Sequence, residues 1–258
     1  MITVIINSFN NEDHIADCIA SARLLAEQVI VVDMESHDQT TEIAHRLGAE
    51  VHAFPPSRYV EPARMFGANL ASTDWVFFLD TDERITTSLA VEVKDALAKT
   101  TSKPPTHFRI PRKNMFAETT WLKHGGWWPD HQVRLIKKDA LRSWPARIHS
   151  TPEISGTCAT LSSPLIHYFH TDVSGMVKKT IIFEDIESEL LCSAGRKVNI
   201  FTFFRKYCGE LLRRLVIKQG FRDGVFGWLE SIYQAYSKTI TWLYVYEKKH
   251  ITNIPTSK

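Results

Sequence analysis

Short β-rich apolar runs alternate with amphipathic stretches through the N-terminal part of the chain. Ile2 to Asn7 reads as a strand, and Glu12 to Leu25 places Ile15, Ile19, Ala22 and Leu25 at helical spacing. Gln28 to Val32 is a second strand that ends at Asp33, and Asp38 to Leu47 is a helix stopped by Gly48. Glu50 to Phe54 is a short third strand. Glu61 to Ala71 is a helix whose small residues Ala63, Gly67, Ala68 and Ala71 allow close packing on a sheet. The run Trp-Val-Phe-Phe-Leu then leads into Asp80. Strands alternating with helices through short connections predict right-handed βαβ units, hence an α/β fold with a mostly parallel central sheet flanked by helices.

The C-terminal third changes period. From Val198, Ile200, Phe201, Phe204, Tyr207, Cys208, Leu211, Leu212 and Leu215 recur at helical spacing, with Arg205, Lys206, Glu210, Arg213, Arg214 and Lys218 on the opposite face. Between Arg196 and Arg222 the basic residues face a single acid, Glu210. Such a helix can lie in a membrane interface; equally, it can pack on the catalytic domain or on another subunit. A second helical pattern runs from Trp228 to Glu247, and its Glu230, Gln234 and Lys238 argue against a membrane span. These patterns divide the chain into an α/β domain over 1–172 and a helical extension over 173–258.

Composition narrows the class. A chain of 258 residues with 44% apolar content can bury a substantial core. A formal net charge of +2 gives no electrostatic footprint of a nucleic-acid binder. Cys18, Cys158, Cys192 and Cys208 are scattered without metal-ligand spacing, which predicts ordinary buried thiols in a reducing compartment. A strand beginning at Ile2 leaves no room for a signal peptide, and no apolar stretch reaches spanning length. A cytoplasmic protein is expected, peripheral on the membrane if the basic helix docks there.

The candidate chemistry begins where the apolar run ends, in Asp80-Thr81-Asp82-Glu83. A run of that kind suits a strand buried on both faces, and ligands of open α/β sheets bind at the carboxyl ends of such strands. Two carboxylates one residue apart can hold a divalent cation, which in turn can hold a diphosphate. The plainer reading is an acidic loop whose Asp82 or Thr86 caps the next helix. The turn after the first strand, Asn7-Ser8-Phe9-Asn10-Asn11-Glu12, has no glycine, so neither a dinucleotide fingerprint nor a P-loop is present. Asp33 ends the second strand and should share the edge with Asp80, where it can accept hydrogen bonds from a base or ribose; alone it reads as a turn residue.

Val-Ile-Ile-Asn-Ser-Phe-Asn-Asn-Glu, Val-Val-Asp-Met-Glu-Ser-His-Asp-Gln-Thr and Trp-Val-Phe-Phe-Leu-Asp-Thr-Asp-Glu-Arg, in this order, resemble the N-terminal signatures of family 2 glycosyltransferases. These are inverting enzymes with the Rossmann-like GT-A fold. His-Gly-Gly-Trp-Trp-Pro-Asp-His-Gln-Val-Arg-Leu (124–135) and Arg-Ile-His (147–149) resemble the branch that contains the lipopolysaccharide core β-1,4-glucosyltransferases. The resemblance implies a nucleotide-sugar-binding half over 1–100 and an acceptor half over 101–172. It implies that Ser8, Phe9, Asn10 and Glu12 line the base and ribose pocket and that Asp33 binds the base edge, typically uracil. Arg64 then lies near the donor diphosphate, Asp80 contacts ribose or metal, and Asp82 ligates Mg²⁺ or Mn²⁺. Met65 replaces an Asn that the family often has, and Ser150 replaces a Glu of the branch.

An inverting transfer is a single displacement that needs a base at the acceptor hydroxyl and positive charge on the leaving diphosphate. Asp130 is the expected base, following a bend whose glycines permit unusual backbone angles and whose tryptophans can face sugar rings; a surface turn over core tryptophans is the plainer reading. Glu83 is the second candidate. Arg134 reaches either a phosphate or a surface carboxylate. His149 or His167 can add a late ligand to the metal, or can be a hydrogen-bonded structural residue. The expected partners are a UDP-sugar donor and a glycan or lipid-linked acceptor of bacterial surface polysaccharide or lipopolysaccharide core. Three rivals stand beside this reading. A sugar nucleotidyltransferase shares the Rossmann-like sheet but needs a Gly-rich basic loop after the first strand, which this chain lacks. A haloacid dehalogenase-type phosphatase also uses a DxD, but this chain has Arg84 where that family wants Thr or Val. A non-catalytic descendant would bind sugar nucleotide or glycan without turnover.

Overall fold

The computed structural model describes residues 1–100, 102–148, 150–170 and 173–250. Twelve strands and seven longer helices follow one another as β1 (Ile2–Ser8), α1 (Glu12–Ala22), β2 (Gln28–Asp33), α2 (Thr40–Arg46), β3 (Glu50–Ala53), α3 (Glu61–Leu70), β4 (Trp75–Asp80), β5 (Glu83–Arg84), α4 (Thr87–Ala98), β6 (His107–Phe116), β7 (Thr120–Trp121), β8 (Asp130–Lys137), β9 (Leu141–Ser143), β10 (Glu153–Ile154), β11 (Cys158–Thr160), β12 (Leu165–His170), α5 (Val173–Ser193), α6 (Ile200–Leu211) and α7 (Gly224–His250). The chain divides into two compact units, 1–113 with 130–167, and 114–129 with the residues from 168 onward.

The first unit holds the α/β part. Its sheet runs β3-β2-β1-β4 in parallel and then turns antiparallel at β8 and β6. Alternation along β1 sends side chains to two cores. Val4 and Ile6 pack with Ile15, Ile19 and Leu89, while Ile5 packs with Val32, Phe78 and Ala63. Fully burying each of the Val, Ile, Leu and Phe side chains among them contributes about 1.5–3 kcal/mol. The small residues of α3 do what their pattern predicts: a Cβ at Gly67 would lie 2.6 Å from Ile5 Cγ2 and 3.1 Å from Val32 Cγ2, so only glycine lets the helix settle at this depth.

Register decides what the sheet offers at its carboxyl edge. Ser8 pairs with Asp33 and Asn7 with Asp80, so β1, β2 and β4 end level. β5 pairs antiparallel with β12, which sets His167 opposite Glu83, and β8 pairs with β6, which sets Asp130 opposite Arg112.

The second unit is built from α5, α6 and α7, with α7 packed on both others. Hydroxyls of Ser237 and Thr241 donate to Glu184, the Thr180 and Tyr233 hydroxyls meet, and Lys248 pairs with Asp185 at 2.6 Å. Asn199 and Thr202 form a reciprocal cap at the start of α6. The segment 114–129 belongs to this unit: Phe116, Leu122 and Trp127 share a core with Phe169, Met176 and Phe226. No helix of the described residues is long and apolar enough to cross a membrane. One expectation is corrected. Cys18 is buried, but Cys158 and Cys208 are exposed, because Cys158 lies on the short edge strand β11 and Cys208 on the outward face of α6.

Glu230 on α7 is buried, and desolvation pushes its carboxyl up to about 7 against the weaker opposing effects of the Gln234 hydrogen bond and the Arg214 charge. The unfolded chain releases this proton near pH 4.5, so the contribution of Glu230 to stability is fully present below that pH and is lost as pH rises through about 7. Glu230→Gln is expected to raise stability at pH 8 by about 3 kcal/mol and to flatten the slope between pH 5 and 7, as read by urea denaturation at the two ends of the range.

Candidate active site

The two loops beyond β1 and β2 are laced together before any ligand is considered. Asn10, at φ +50°, donates its N–H to Ser36 Oγ at 2.9 Å and accepts the His37 N–H at 2.8 Å. Asparagine tolerates this left-handed conformation better than most residues, which is how the turn manages without glycine. Glu12 accepts the Gln39 N–H at 3.0 Å, and Asp38 accepts the Glu12 N–H at 3.0 Å. Asp33, buried between the loops, accepts hydroxyl hydrogen bonds from Ser8 at 2.9 Å and Ser36 at 2.6 Å, and the Ser36 N–H at 2.8 Å. Ser8, Asn10, Glu12 and Asp33 therefore lie together at one edge as expected, and their side chains also build that edge. Phe9 stands apart, 43% exposed with its ring near His37.

An ion network occupies the end of β4. Arg64 donates to Asp80 Oδ1 at 2.8 Å, and Arg134 donates to Asp80 Oδ2 and to Glu83 Oε1, the latter at 2.6 Å. Arg112 Nη1 reaches Glu83 at 3.4 Å, and Arg112 Nε and Nη2 both donate to Asp130 Oδ2, at 2.9 and 2.6 Å. Gln132 donates to Asp130 Oδ1 at 2.8 Å. Arg64 also lies over the Trp144 ring at 4.8 Å. Burial alone would push the Asp80 carboxyl up, but the Arg134 and Arg64 guanidiniums outweigh it and hold it well below the usual carboxylate range. Burial likewise opposes the Arg134 charge, and Asp80 and Glu83 overcome that, so Arg134 stays protonated.

Three expected roles change in this light. Arg134 does not pair with a surface carboxylate; it is 4% exposed between Asp80 and Glu83 at the strand end. Glu83 is fully buried, accepts the Asp80 N–H at 3.2 Å and binds two arginines, so it has no path to an acceptor hydroxyl in this arrangement. Asp80 offers its oxygens to arginines, which makes it an anchor for positive charge. Asp82 differs. It sits in the turn after β4, and its carboxylate lies 3.6 Å from His167 Nε2.

No group of three or more His, Cys, Asp or Glu side chains is poised around a common point among the described residues, and His149 lies outside them. The donor chemistry of Asp82 with His167 nonetheless fits a divalent cation that takes the rest of its shell from water and a diphosphate, as Mg²⁺ commonly does. Buried donors stand nearby in the fold: Arg64 Nε and Nη1 and the Asn7 amide have no hydrogen-bond partner. Nothing in the sequence pattern distinguishes Asn7, and its apolar neighbours mask it. Arg112 was missed for the same kind of reason, since only the β6–β8 register brings it to Asp130. Of the two departures in the family pattern, Met65 packs on the α3-side core and Ser150 Oγ donates to the Pro145 carbonyl at 2.6 Å.

The bend before Asp130 belongs to the second unit and behaves differently from expectation. Gly125 and Gly126 adopt φ of +67° and +87°, as a bend there requires. Trp127 packs against Phe169 at 4.6 Å with Arg214 over its ring at 5.0 Å, so it serves packing, while Trp128 meets Trp121 edge-on. A cavity of about 720 Å³ opens between α4 and the β11 region, and none of the carboxylates described above lines it.

The profile of Glycosyl transferase family 2 matches residues 3–161. An uncharacterised glycosyltransferase of Rickettsia conorii is 25% identical over 247 residues, covering 92% of this chain and 86% of that protein. Among solved structures, a mycobacterial protein superposes with a TM-score of 0.50 at 16% identity, covering 77% of this chain and 76% of that one. Glucosyl-3-phosphoglycerate synthase from Mycobacterium tuberculosis, crystallised with Mn²⁺, UDP and glucosyl-3-phosphoglycerate, gives 0.49 at 17% identity, with 77% and 81% covered. The first of these structural likenesses bears on the fold alone.

Replacing Arg134 by Met should be severe, because it leaves buried Glu83 with Arg112 at 3.4 Å as its remaining cation and removes one of the two arginines on Asp80. A loss of about 3–5 kcal/mol is expected in urea denaturation. Adding Glu83→Gln to the same chain should recover part of it, since the neutral amide no longer needs a cation.

Proposed function

The chain belongs to glycosyl transferase family 2 and is a glycosyltransferase, and from that premise we propose that it moves a sugar, with inversion, from a UDP-linked donor to a hydroxyl of a glycan or lipid-linked acceptor. The observation that carries this reading is the level ending of β1, β2 and β4, which sets Ser8, Asp33 and Asp80 on one edge with Asp82 just beyond. In this reading Asp33 keeps acceptor capacity for the N–H of a base, since its carboxylate has about four lone-pair sites and accepts three hydrogen bonds within the loops. The unpartnered N–H groups of Arg64 supply donors to diphosphate oxygens.

Asp82 and His167 would hold a Mg²⁺ or Mn²⁺ ion, which when bound supplies Lewis-acid stabilisation to the leaving diphosphate. Asp80 keeps Arg64 and Arg134 charged and in place, so that positive charge is already present where the leaving group develops negative charge. Asp130 takes the proton of the acceptor hydroxyl as that oxygen attacks the anomeric carbon. Arg112 fixes one oxygen of Asp130 and Gln132 orients the other, so the carboxylate is aimed before substrate arrives. The resemblance over 124–135 favours an acceptor in bacterial surface polysaccharide or lipopolysaccharide core synthesis.

The decisive experiment is a screen of UDP-sugars with and without Mn²⁺, read by released UDP. Asp82→Ala is expected to reduce metal-dependent release by about a hundredfold or more; unchanged release would remove Asp82 from the site. Asp130→Asn should leave donor binding intact in calorimetry while lowering transfer to acceptor by about 10²–10⁴-fold. Full turnover in that variant would require a different base.

A further inference from the structure

α6 continues into a π-helical turn, Leu212–Ile217, and the combined element buries one side while leaving an apolar face outside. Inward, Phe203 meets the Tyr246 ring, Lys206 lies over Trp242 at 4.9 Å, and Thr202 and Leu215 are buried. Outward, Ile200, Phe201, Phe204, Leu212, Val216 and Ile217 are each between 54 and 76% exposed. Isolated exposed apolar residues are ordinary, but six within eighteen positions of one continuous helical element, with Ile200 and Phe204 and then Leu212 and Val216 one turn apart, mark a contact surface.

The charges around this face select the partner. Lys197, Arg205, Lys218 and Arg222 are exposed along the same stretch. The acids that accompany them are already engaged within the second unit. Glu210 pairs with Arg213 at 2.6 Å and Arg214 at 2.7 Å, and Asp223 accepts from His124 Nδ1 and from the Lys123 and His124 N–H groups. The surface is therefore apolar, with exposed cations interspersed along the same stretch. A second copy of the chain meeting this face about a two-fold axis would bring like charges together, whereas an anionic bilayer complements both features.

We propose that the exposed face of α6 and its π-helical extension docks in the interfacial layer of a membrane containing anionic lipid, with the apolar side chains among the acyl chains and the arginines and lysines at the phosphates. The docking is parallel to the bilayer plane, since no helix of the described residues can cross it. This surface lies wholly within the second unit, so the inference does not depend on the transfer chemistry and can fail or hold separately from it.

The test is flotation of the full chain with vesicles of phosphatidylcholine alone and of phosphatidylcholine with one third phosphatidylglycerol. Binding to the mixed vesicles, little binding to phosphatidylcholine alone, and weakening in high salt are expected. The double variant Phe201→Glu with Phe204→Glu should lower the bound fraction about tenfold, and Arg205→Glu with Lys218→Glu should do the same in low salt. Circular dichroism melting checks that each variant folds, which their exposed positions favour. Equal flotation of parent and folded variants would overturn the proposal. So would a concentration-dependent dimer, seen in sedimentation, that the phenylalanine variant abolishes without any change in vesicle binding.

Discussion

The end of β4 depends on the mutual neutralisation of buried charges. Asp80 and Glu83 sit with Arg64, Arg112 and Arg134 at the carboxyl edge of the sheet, and Arg112 carries the network on to Asp130. Arg64, Glu83 and Arg134, the buried members, would be costly alone in that environment, since an uncompensated buried charge loses several kcal/mol of solvation. Together they form a connected set whose members come from α3, β4, β5, β6 and β8. The set welds the parallel half of the sheet to the antiparallel half. A network of this kind is weak evidence for net stability compared with an apolar core. Its clearer consequence is fixed geometry, because no member can rotate away without stranding another.

That constraint changes the meaning of the carboxylates at the strand end. In a reading from spacing alone, Asp80 and Asp82 are a matched pair and Glu83 is a spare base. Strand termination separates them. Asp80 is the last residue of β4, on the same side as Phe78 and the α3 core, and meets Arg64 there. Glu83 returns to the sheet in β5 opposite His167 and is enclosed. Only Asp82, in the turn between these strands, escapes both the alternation of β4 and the enclosure of β5.

Much of the first unit was legible because its signals are local. Periodicity located β1, α1, β2, α2, β3, α3 and β4 to within a few residues, and the small residues of α3 announced the close approach that Gly67 makes. Level strand ends follow from the parallel pairing that such alternation implies, so Ser8, Asp33 and Asp80 could be placed on one edge. The failures share a different physical origin. The interior carboxylate partners of Arg134 were hidden because a short β-like run does not reveal which strand it pairs with, and Arg112 was hidden because its partner lies across the β6–β8 ladder. The helical third had a clear period, but the segment 114–129 joins its core through long-range contacts of Phe116, Leu122 and Trp127 that no local pattern encodes. The tryptophan bend therefore looked like a sugar platform when Trp127 is packing material.

The two units divide their polar chemistry differently, and the difference follows from how each handles buried charge. In the first, Asp80 is matched by Arg134 and Arg64, so its charge persists and anchors those positive groups. In the second, Glu230 has Arg214 as a modest electrostatic influence, and desolvation prevails, raising its carboxyl to about 7. Arg214 is already committed to Glu210 and to the Gly125 carbonyl. A single arginine serving an exposed-side acid, a backbone carbonyl and the Trp127 ring has little left to hold Glu230 ionised. Of the basic residues along α6, Lys206 turns inward onto Trp242 of α7 without meeting Glu230, while Arg205 stays exposed.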